Sequence, residues 1–277
     1  MTLTLTQAQM DGLIAIVRDV AAREIKPLFR NLDAAAIDSK SAPDDLVTVA
    51  DRAAELAIAD GVRKLLPGAA IVGEEAVSAD KTVLDRVGAG QVVVIDPIDG
   101  TWNYANGNAT YGVILSVIED GETVFGLLYD PSYDDWIAGA KGQGAWFANA
   151  AVKRPLALPE TPAIPDAFGF VGMYLFTKPQ QVQIAAQLPA FRRTQTLRCS
   201  CHEYRLLAQG SAQFCLNGML NVWDHAAGVL IYRELGGVAR LLDGREYDPT
   251  MREGRLLTAA SPQLWDSVAA RFGSLAD

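Results

Sequence analysis

The sequence predicts a fold of mixed α+β and α/β character, with an antiparallel sheet in an N-terminal lobe and a mixed α/β sheet in a C-terminal lobe. Three observations carry this. Apolar residues recur at helical spacing near the N-terminus, and period-two alternation with turn punctuation fills residues 111–147. Beyond a proline-rich stretch at 155–165, strand-like runs alternate with helical ones.

Leu13, Ile14, Val17, Val20, Ala21, Ile25 and Leu28 share one face of a helix expected over residues 6–30, with Thr6 and Gln9 as its capping box. A second helix is expected over residues 49–66, stopped by Pro67-Gly68. Asp120-Gly121 joins the strand-like runs 113–118 and 123–129 as a hairpin. Lys141-Gly142-Gln143-Gly144 makes another turn, without the strand-then-helix order of a nucleotide loop. Residues 155–165 hold four prolines and set the expected division into lobes 1–154 and 155–277, together one catalytic unit. The second lobe reads as helix 179–188, strand 195–199, helix 202–209, strand 212–217, helix 224–235, strands 237–242 and 255–259, and helix 262–272.

Composition narrows the function. Half of the 277 residues are hydrophobic and 21% are charged, enough for a substantial core. A net charge of −9 without a basic stripe argues against nucleic acid as a partner. No apolar run approaches the roughly 18 residues of a membrane span. The opening Met-Thr-Leu-Thr-Leu-Thr-Gln lacks the basic-then-apolar order of a signal peptide, so a cytoplasmic address is expected. Three cysteines fit reduced thiols. Cys199-Ser200-Cys201-His202 reads as half of a zinc site or as small side chains packed under a pocket; the missing second ligand pair favours packing. Cys215, in an alternating strand, reads as core.

The chemistry sits in acidic clusters at element ends. Residues 92–101 read Val-Val-Val-Ile-Asp-Pro-Ile-Asp-Gly-Thr, an apolar strand ending in two carboxylates three residues apart. Pro97 is expected to force a turn there, and Gly100-Thr101 to open a helix. Hard divalent cations take carboxylate oxygens and phosphate takes a helix N-terminus, so the pattern points to metal-assisted attack on a phosphoryl group. Such a pair alone also serves as an ordinary cap or turn. Ala70-Ile71-Val72-Gly73-Glu74-Glu75 repeats the pattern, with a solvated loop as its alternative. Trp223-Asp224-His225-Ala226-Ala227-Gly228 opens a long apolar helix with Asp224 expected at the N-cap, where a plain cap is the commonest job for Asp.

Glu74-Glu75, the Asp-Pro-Ile-Asp-Gly-Thr run and the 223–228 segment resemble the three signature motifs of the inositol monophosphatase family, which are Mg²⁺-dependent, lithium-sensitive phosphomonoesterases. Asp44-Asp45-Leu46-Val47-Thr48-Val49-Ala50-Asp51 is similar to that family's N-terminal motif. Order and spacing match over residues 10–270. The resemblance implies a layered α-β-α-β-α sandwich, commonly a homodimer, holding two or three Mg²⁺ ions. Glu74, Asp96 and the Ile98 carbonyl would hold one ion, and Asp96, Asp99 and Asp224 a second, with Asp96 bridging and Glu74 also touching a weaker third. The catalytic set would be Glu74, Thr101 and Asp51, the Thr101 hydroxyl paired with Asp51 orienting or deprotonating water. Substrate would meet Gly100, Thr101, Ser200, Asn217 and Asp224, with Asn217 where an acidic residue commonly binds ring hydroxyls.

Around that set, Ser200, Cys201, Glu203 and Arg205 are expected to line a leaving-group pocket, Arg205 meeting a second anionic group or pairing with Glu203. Lys40 lends charge near the metals or is a solvated loop lysine; His225 reads as a helix hydrogen-bonder and Trp223 as packing that holds Asp224. The expected substrate is a small polyol or sugar phosphate, inositol monophosphate first. Histidinol phosphate, fructose 1,6-bisphosphate and 3′-phosphoadenosine-5′-phosphate are alternatives, though Trp102-Asn103-Tyr104 resembles the inositol branch. A catalytically silent regulatory protein is the alternative from another class. It would be expected to have lost metal carboxylates, and Glu74, Asp96, Asp99 and Asp224 are all present.

Overall fold

Alternate residues of the central strands feed two different cores, and that period of two organises the molecule. The computed structural model describes residues 5–40 and 45–275. Its helices are α1 (Gln7–Val20), α2 (Val49–Leu65), α3 (Glu74–Ala79), α4 (Thr101–Ala105), α5 (Lys178–Gln187), α6 (Ser200–Ala208), α7 (Val222–Glu234) and α8 (Pro262–Phe272). The strands of the first half are β1 (Ile37–Ser39), β2 (Leu46–Thr48), β3 (Ala70–Gly73), β4 (Gln91–Asp99), β5 (Gly112–Glu119), β6 (Glu122–Asp130), β7 (Asp135–Ala140), β8 (Gly144–Asn149) and β9 (Lys153–Pro155). Those of the second half are β10 (Phe168–Val171), β11 (Arg193–Gln195), β12 (Phe214–Asn217), β13 (Val238–Leu241) and β14 (Leu256–Ala259).

A seven-stranded sheet runs β3-β4-β5-β6-β7-β8-β9, antiparallel except for the parallel β3–β4 pair. A five-stranded mixed sheet runs β11-β10-β12-β14-β13, with β10 parallel to both its neighbours. On the large sheet, Val113, Leu115 and Val117 pack with Leu13 and Val17 of α1 and Ile58 of α2. Ile114, Leu128 and Ile137 face the other way, onto Tyr204 of α6 and Ile231 of α7. The small sheet repeats this: Cys215 joins that middle core, while Phe214 and Leu216 pack outward on Ile184 of α5 and Val268 of α8. Two helical layers outside and one between two sheets give the expected α-β-α-β-α sandwich, and no helix among the described residues is long and apolar enough to cross a membrane.

The middle layer fixes where α7 presents its first turn. At Gly126 of β6 a Cβ would lie 2.7 Å from the Ala227 carbonyl oxygen, so only glycine lets α7 rest backbone-to-backbone on the sheet.

Several expected elements appear with shifted ends, and a few differ for identifiable reasons. The helix expected over 6–30 keeps its capping box at Thr6, but α1 ends at Val20; Ala21–Ile25 winds more loosely and Lys26–Leu28 more tightly. Pro27 has no N–H to continue the regular ladder. Pro97 does not end its strand. Asp96 pairs with Ile114 and Asp99 with Gly112, so two residues on β4 oppose one on β5 in a bulge, the usual accommodation of a proline that cannot donate. The strand expected at 195–199 lies at Arg193–Gln195. Strand β10, with its four residues interrupted by Gly169, carries too short a pattern to be read and was not anticipated.

Candidate active site

The β4 bulge and the first turn of α7 bring together the carboxylates of Asp96, Asp99 and Asp224, with ligating oxygens all within 4.8 Å of one another. Asp96 is 2% and Asp99 7% exposed. Burial, then the charges of Glu74, Asp99 and Asp224, push Asp96 well above the usual carboxylate range. Burial and the charges of Asp99 and Glu74 do the same to Asp224. Burial raises Asp99 to about 6, against hydrogen bonds that favour its charged form. At such separations each like-charged pair repels by roughly 3–4 kcal/mol at an effective dielectric of ~20, a large fraction of a domain's net stability. An all-oxygen donor set with that much unbalanced charge fits Mg²⁺ or another hard divalent cation and does not fit thiolate-type zinc coordination.

Local structure explains each position. The Ile98 N–H turns inward to Asp96 Oδ1 at 3.1 Å, which fixes the carboxylate across the bulge. Asp99 Oδ2 accepts from the Cys201 N–H at 2.5 Å and from the Cys199 thiol at 3.1 Å, closing the first turn of α6. Both cysteines are buried and burial raises their pKa, so they are packed thiols under the site. The α7 helix begins one turn earlier than expected, with Asn221 as N-cap, so Asp224 is not the cap. It sits inside the first turn and accepts from Asn221 Nδ2 at 3.1 Å.

Glu74 begins α3 instead of standing in a solvated loop. Lys40 is largely withdrawn from solvent and donates to Glu74 Oε1 at 2.8 Å and Glu75 Oε1 at 2.6 Å. Burial lowers its pKa, but the two carboxylates outweigh that and hold the ammonium charged. Glu55, which the sequence reading missed, accepts from the N–H groups of Glu75 (2.7 Å) and Ala76 (3.0 Å) and so anchors the start of α3. Its signal was present: it lies one turn beyond Asp51 on the same face of α2.

Asp51 is fully buried. Its Oδ2 accepts from the Thr48 N–H at 2.8 Å and hydroxyl at 2.6 Å, the capping box of α2, while Oδ1 faces Thr101 Oγ1 at 3.1 Å. Burial raises Asp51 to about 7, with the Thr48 bonds opposing. Gly100 caps α4 at φ +85°, and a Cβ there would lie 3.1 Å from the Thr110 and 3.2 Å from the Arg198 carbonyl oxygen. That backbone needs glycine.

Beside the carboxylates lies a cavity of about 730 Å³. Gly100, Thr101, Ser200, Asn217 and Asp224 all line it, as do Glu74, Asp99 and Asp45, while Asp96, Ile98 and Asp51 lie behind the lining. Asp44 lies outside the described residues. Of the α6 residues expected there, Ser200 and Glu203 face the cavity, one helical turn apart. Cys201 and Arg205 point to the opposite side. Arg205 is buried, donates to the Leu128 carbonyl at 2.8 Å and pairs with Asp135, so it neither meets the cavity nor pairs with Glu203. Glu203 instead accepts from the Leu197 N–H at 2.7 Å and the Thr196 hydroxyl at 3.1 Å. The sequence reading also missed Arg198, which lines the cavity with its guanidinium over the rings of Trp102 and Tyr174.

His225 is a hydrogen-bonder, as expected. Nε2 lies 2.9 Å from the Met219 carbonyl and Nδ1 3.1 Å from the Tyr204 hydroxyl. A carbonyl only accepts, so Nε2 carries the proton and Nδ1 accepts. Burial lowers the ring to about 4 and keeps it neutral. Trp223 packs against the apolar group of Val72, Val77 and Val92 beside Asp224.

Three comparisons bear on this site. The sequence profile of the inositol monophosphatase family matches residues 6–275. An inositol-1-monophosphatase of Mycobacterium leprae is 31% identical over 247 residues, 87% of this chain and 84% of that protein. A fructose-1,6-bisphosphatase/inositol-1-monophosphatase of Thermotoga maritima is 26% identical over 210 residues, 76% of this chain and 77% of that one. Among solved structures, an IMPase of Thermotoga maritima shares the fold at a TM-score of 0.82 and 23% identity, covering 97% of this chain and 98% of its own. The chain belongs to the inositol monophosphatase family and is a hydrolase of phosphate monoesters.

Proposed function

We propose that the protein hydrolyses a small polyol or sugar phosphate, inositol monophosphate first, with Mg²⁺ as its cofactor. The observation that carries this is the convergence of three carboxylates, two buried and one half-buried, within 4.8 Å beside the Thr101–Asp51 pair and the cavity. Glu74, Asp96, the Ile98 carbonyl, Asp99 and Asp224 would hold two or three ions. When bound, the cations neutralise charge on the phosphate and make water a nucleophile near neutral pH.

This chain's own residues would do the rest. The N–H groups of Gly100 and Thr101, at the start of α4, would donate to phosphate oxygens. Thr101 would orient water toward phosphorus, taking a proton from it while giving its own to Asp51, and as the ester P–O bond breaks the leaving oxygen would take a proton from solvent water, giving an alcohol and inorganic phosphate. Asn217, Ser200 and Glu203 would face the leaving group's hydroxyls. Both lobes, 1–154 and 155–277, are needed for this, since Asp224 comes from the second and the other carboxylates from the first. Lithium inhibition, a homodimer in light scattering and a cytoplasmic address belong to the same reading.

The test is phosphate release from inositol 1-phosphate, fructose 1,6-bisphosphate, histidinol phosphate and 3′-phosphoadenosine-5′-phosphate, with Mg²⁺ and with chelator. Activity that needs Mg²⁺ and ranks a polyol or sugar phosphate first supports the reading. Full turnover in chelator sinks the metal role, and a nucleotide ranked first sinks the substrate class.

A further inference from the structure

The first turn of α3 is capped from another helix. Gly73, its N-cap, has no side chain to offer the N–H groups of Glu75 and Ala76. Glu55 of α2 supplies the acceptors, Oε2 taking the Glu75 N–H at 2.7 Å and Oε1 the Ala76 N–H at 3.0 Å. Its buried carboxylate fills the space of an N-cap side chain, and a Cβ on Gly73 would lie 2.2 Å from the Glu55 carboxyl carbon. The Gly73 backbone is extended, at φ −106° and ψ 152°, which any residue adopts. Glycine is therefore required at 73 by Glu55 and not by the turn itself.

Glu74, the first residue of α3, lies between this cap and the end of β3, where Gly73 pairs with Ile95, the neighbour of Asp96. The Glu74 charge raises Asp51, Asp96, Asp99 and Asp224, so its carboxylate faces all four. Asp51 precedes Glu55 by one turn on the buried face of α2 and meets Thr101 at 3.1 Å. One rigid helix thus holds both Asp51 and the turn that carries Glu74.

We propose that Glu55 is a positioning residue for the divalent cation: by capping α3 from α2, it sets Glu74 at the separation from Asp96 that an ion shared between them requires. The proposal rests on the metal-dependent phosphatase reading and adds to it a residue outside the ligand set. Ligand oxygens must hold their distances to a cation within about 0.2 Å, and a six-residue helix is too short to hold its place by its own hydrogen bonds. A serine at position 73 would satisfy the same N–H groups locally and leave α3 free to shift against α2. Glu55 satisfies them and ties the two helices together, even though this buries a carboxylate beside Glu74 and Glu75, a cost that a local cap avoids.

The test separates capping from positioning, with Mg²⁺ binding read by calorimetry and folding by Tm in the metal-free protein. Glu55→Ala should weaken Mg²⁺ binding by roughly 10- to 100-fold, the range for losing an outer partner of a metal site, and should lower Tm. It also clears the space for a Cβ at 73. Adding Gly73→Ser should then restore Tm by capping α3 locally and leave Mg²⁺ binding weak. In a Glu74→Gln background, Glu55→Ala should change Mg²⁺ affinity by less than about 2-fold, because the ligand it positions is already lost. Glu55→Gln keeps one acceptor and carries the same affinity measurement if Glu55→Ala does not fold. Unchanged Mg²⁺ affinity in the Glu55 variants overturns the proposal while the phosphatase reading stands. So does a serine that restores affinity along with Tm, which makes Glu55 a helix cap only, and so do additive losses in the Glu74→Gln background. Wild-type protein that binds no Mg²⁺ sinks the metal reading itself, and this proposal with it.

Discussion

The Thr101 hydroxyl oxygen stands 3.1 Å from Asp51 Oδ1 and 3.0 Å from the Ile98 carbonyl oxygen. A hydroxyl has one proton, and with Asp51 ionised both neighbours only accept. Its proton is therefore committed to one of them, and its two lone pairs stay free to accept, for example from a water molecule. In the proposed reaction, a Thr101 hydroxyl turned to Asp51 would take a proton from water as it gives its own to the carboxylate.

Removing that link should slow the chemical step and little else. Thr101→Val preserves shape but not the hydroxyl, so kcat and kcat/KM should fall together by about 100-fold or more, the scale of general acid–base assistance. Thr101→Ser should recover most of the loss. Steady-state kinetics at saturating Mg²⁺ decide it, and a Val variant with wild-type kcat would falsify the relay.

Asp96 is the most buried of the three clustered carboxylates. Asp96→Asn should weaken Mg²⁺ binding in calorimetry and lower turnover by roughly 10²–10³, the scale of losing one key electrostatic stabiliser. The metal-free protein should melt higher than wild type, because repulsion with Glu74, Asp99 and Asp224 is relieved. An unchanged Mg²⁺ affinity would place the ion elsewhere.

Glu203 gives a pH signature. Burial lifts it from the ordinary 4.5 to about 7. Between those values the folded protein keeps a proton that the unfolded chain has lost, so its contribution to stability falls as pH rises through the window. Glu203→Gln lacks that ionisation and should gain on wild type from pH 4.5 to 7, by up to about 3 kcal/mol in urea unfolding at pH 8. A difference independent of pH would show that the carboxyl ionises normally in the fold.

Arg205 gives the opposite kind of outcome. It is 5% exposed and paired with Asp135, away from the cavity. Arg205→Met should destabilise by roughly 3–5 kcal/mol, since it strands a partly buried carboxylate, and should leave the ranking of substrates as it is. A changed ranking at normal stability would return Arg205 to the substrate pocket.

The sequence by itself determined the elements whose chemistry is local. The Thr6 cap, the helix over 49–66, the β5–β6 hairpin at Asp120-Gly121 and α8 over 262–272 depend on spacing within a few residues, and each formed as read or with shifted ends. The acidic residues were legible too, because carboxylates at the ends of apolar strands stand out against a core-forming background. Tertiary structure decided which way side chains point. Arg205 and Glu203 lie two apart on one helix, and only the packing of α6 between two sheets sends one to the sheet side and the other to the cavity. Arg198 was invisible for the same reason. Its backbone is left-handed, and Asn103, 95 positions away along the chain, lies 3.4 Å from its carbonyl; no pattern in the neighbouring sequence records that long-range contact.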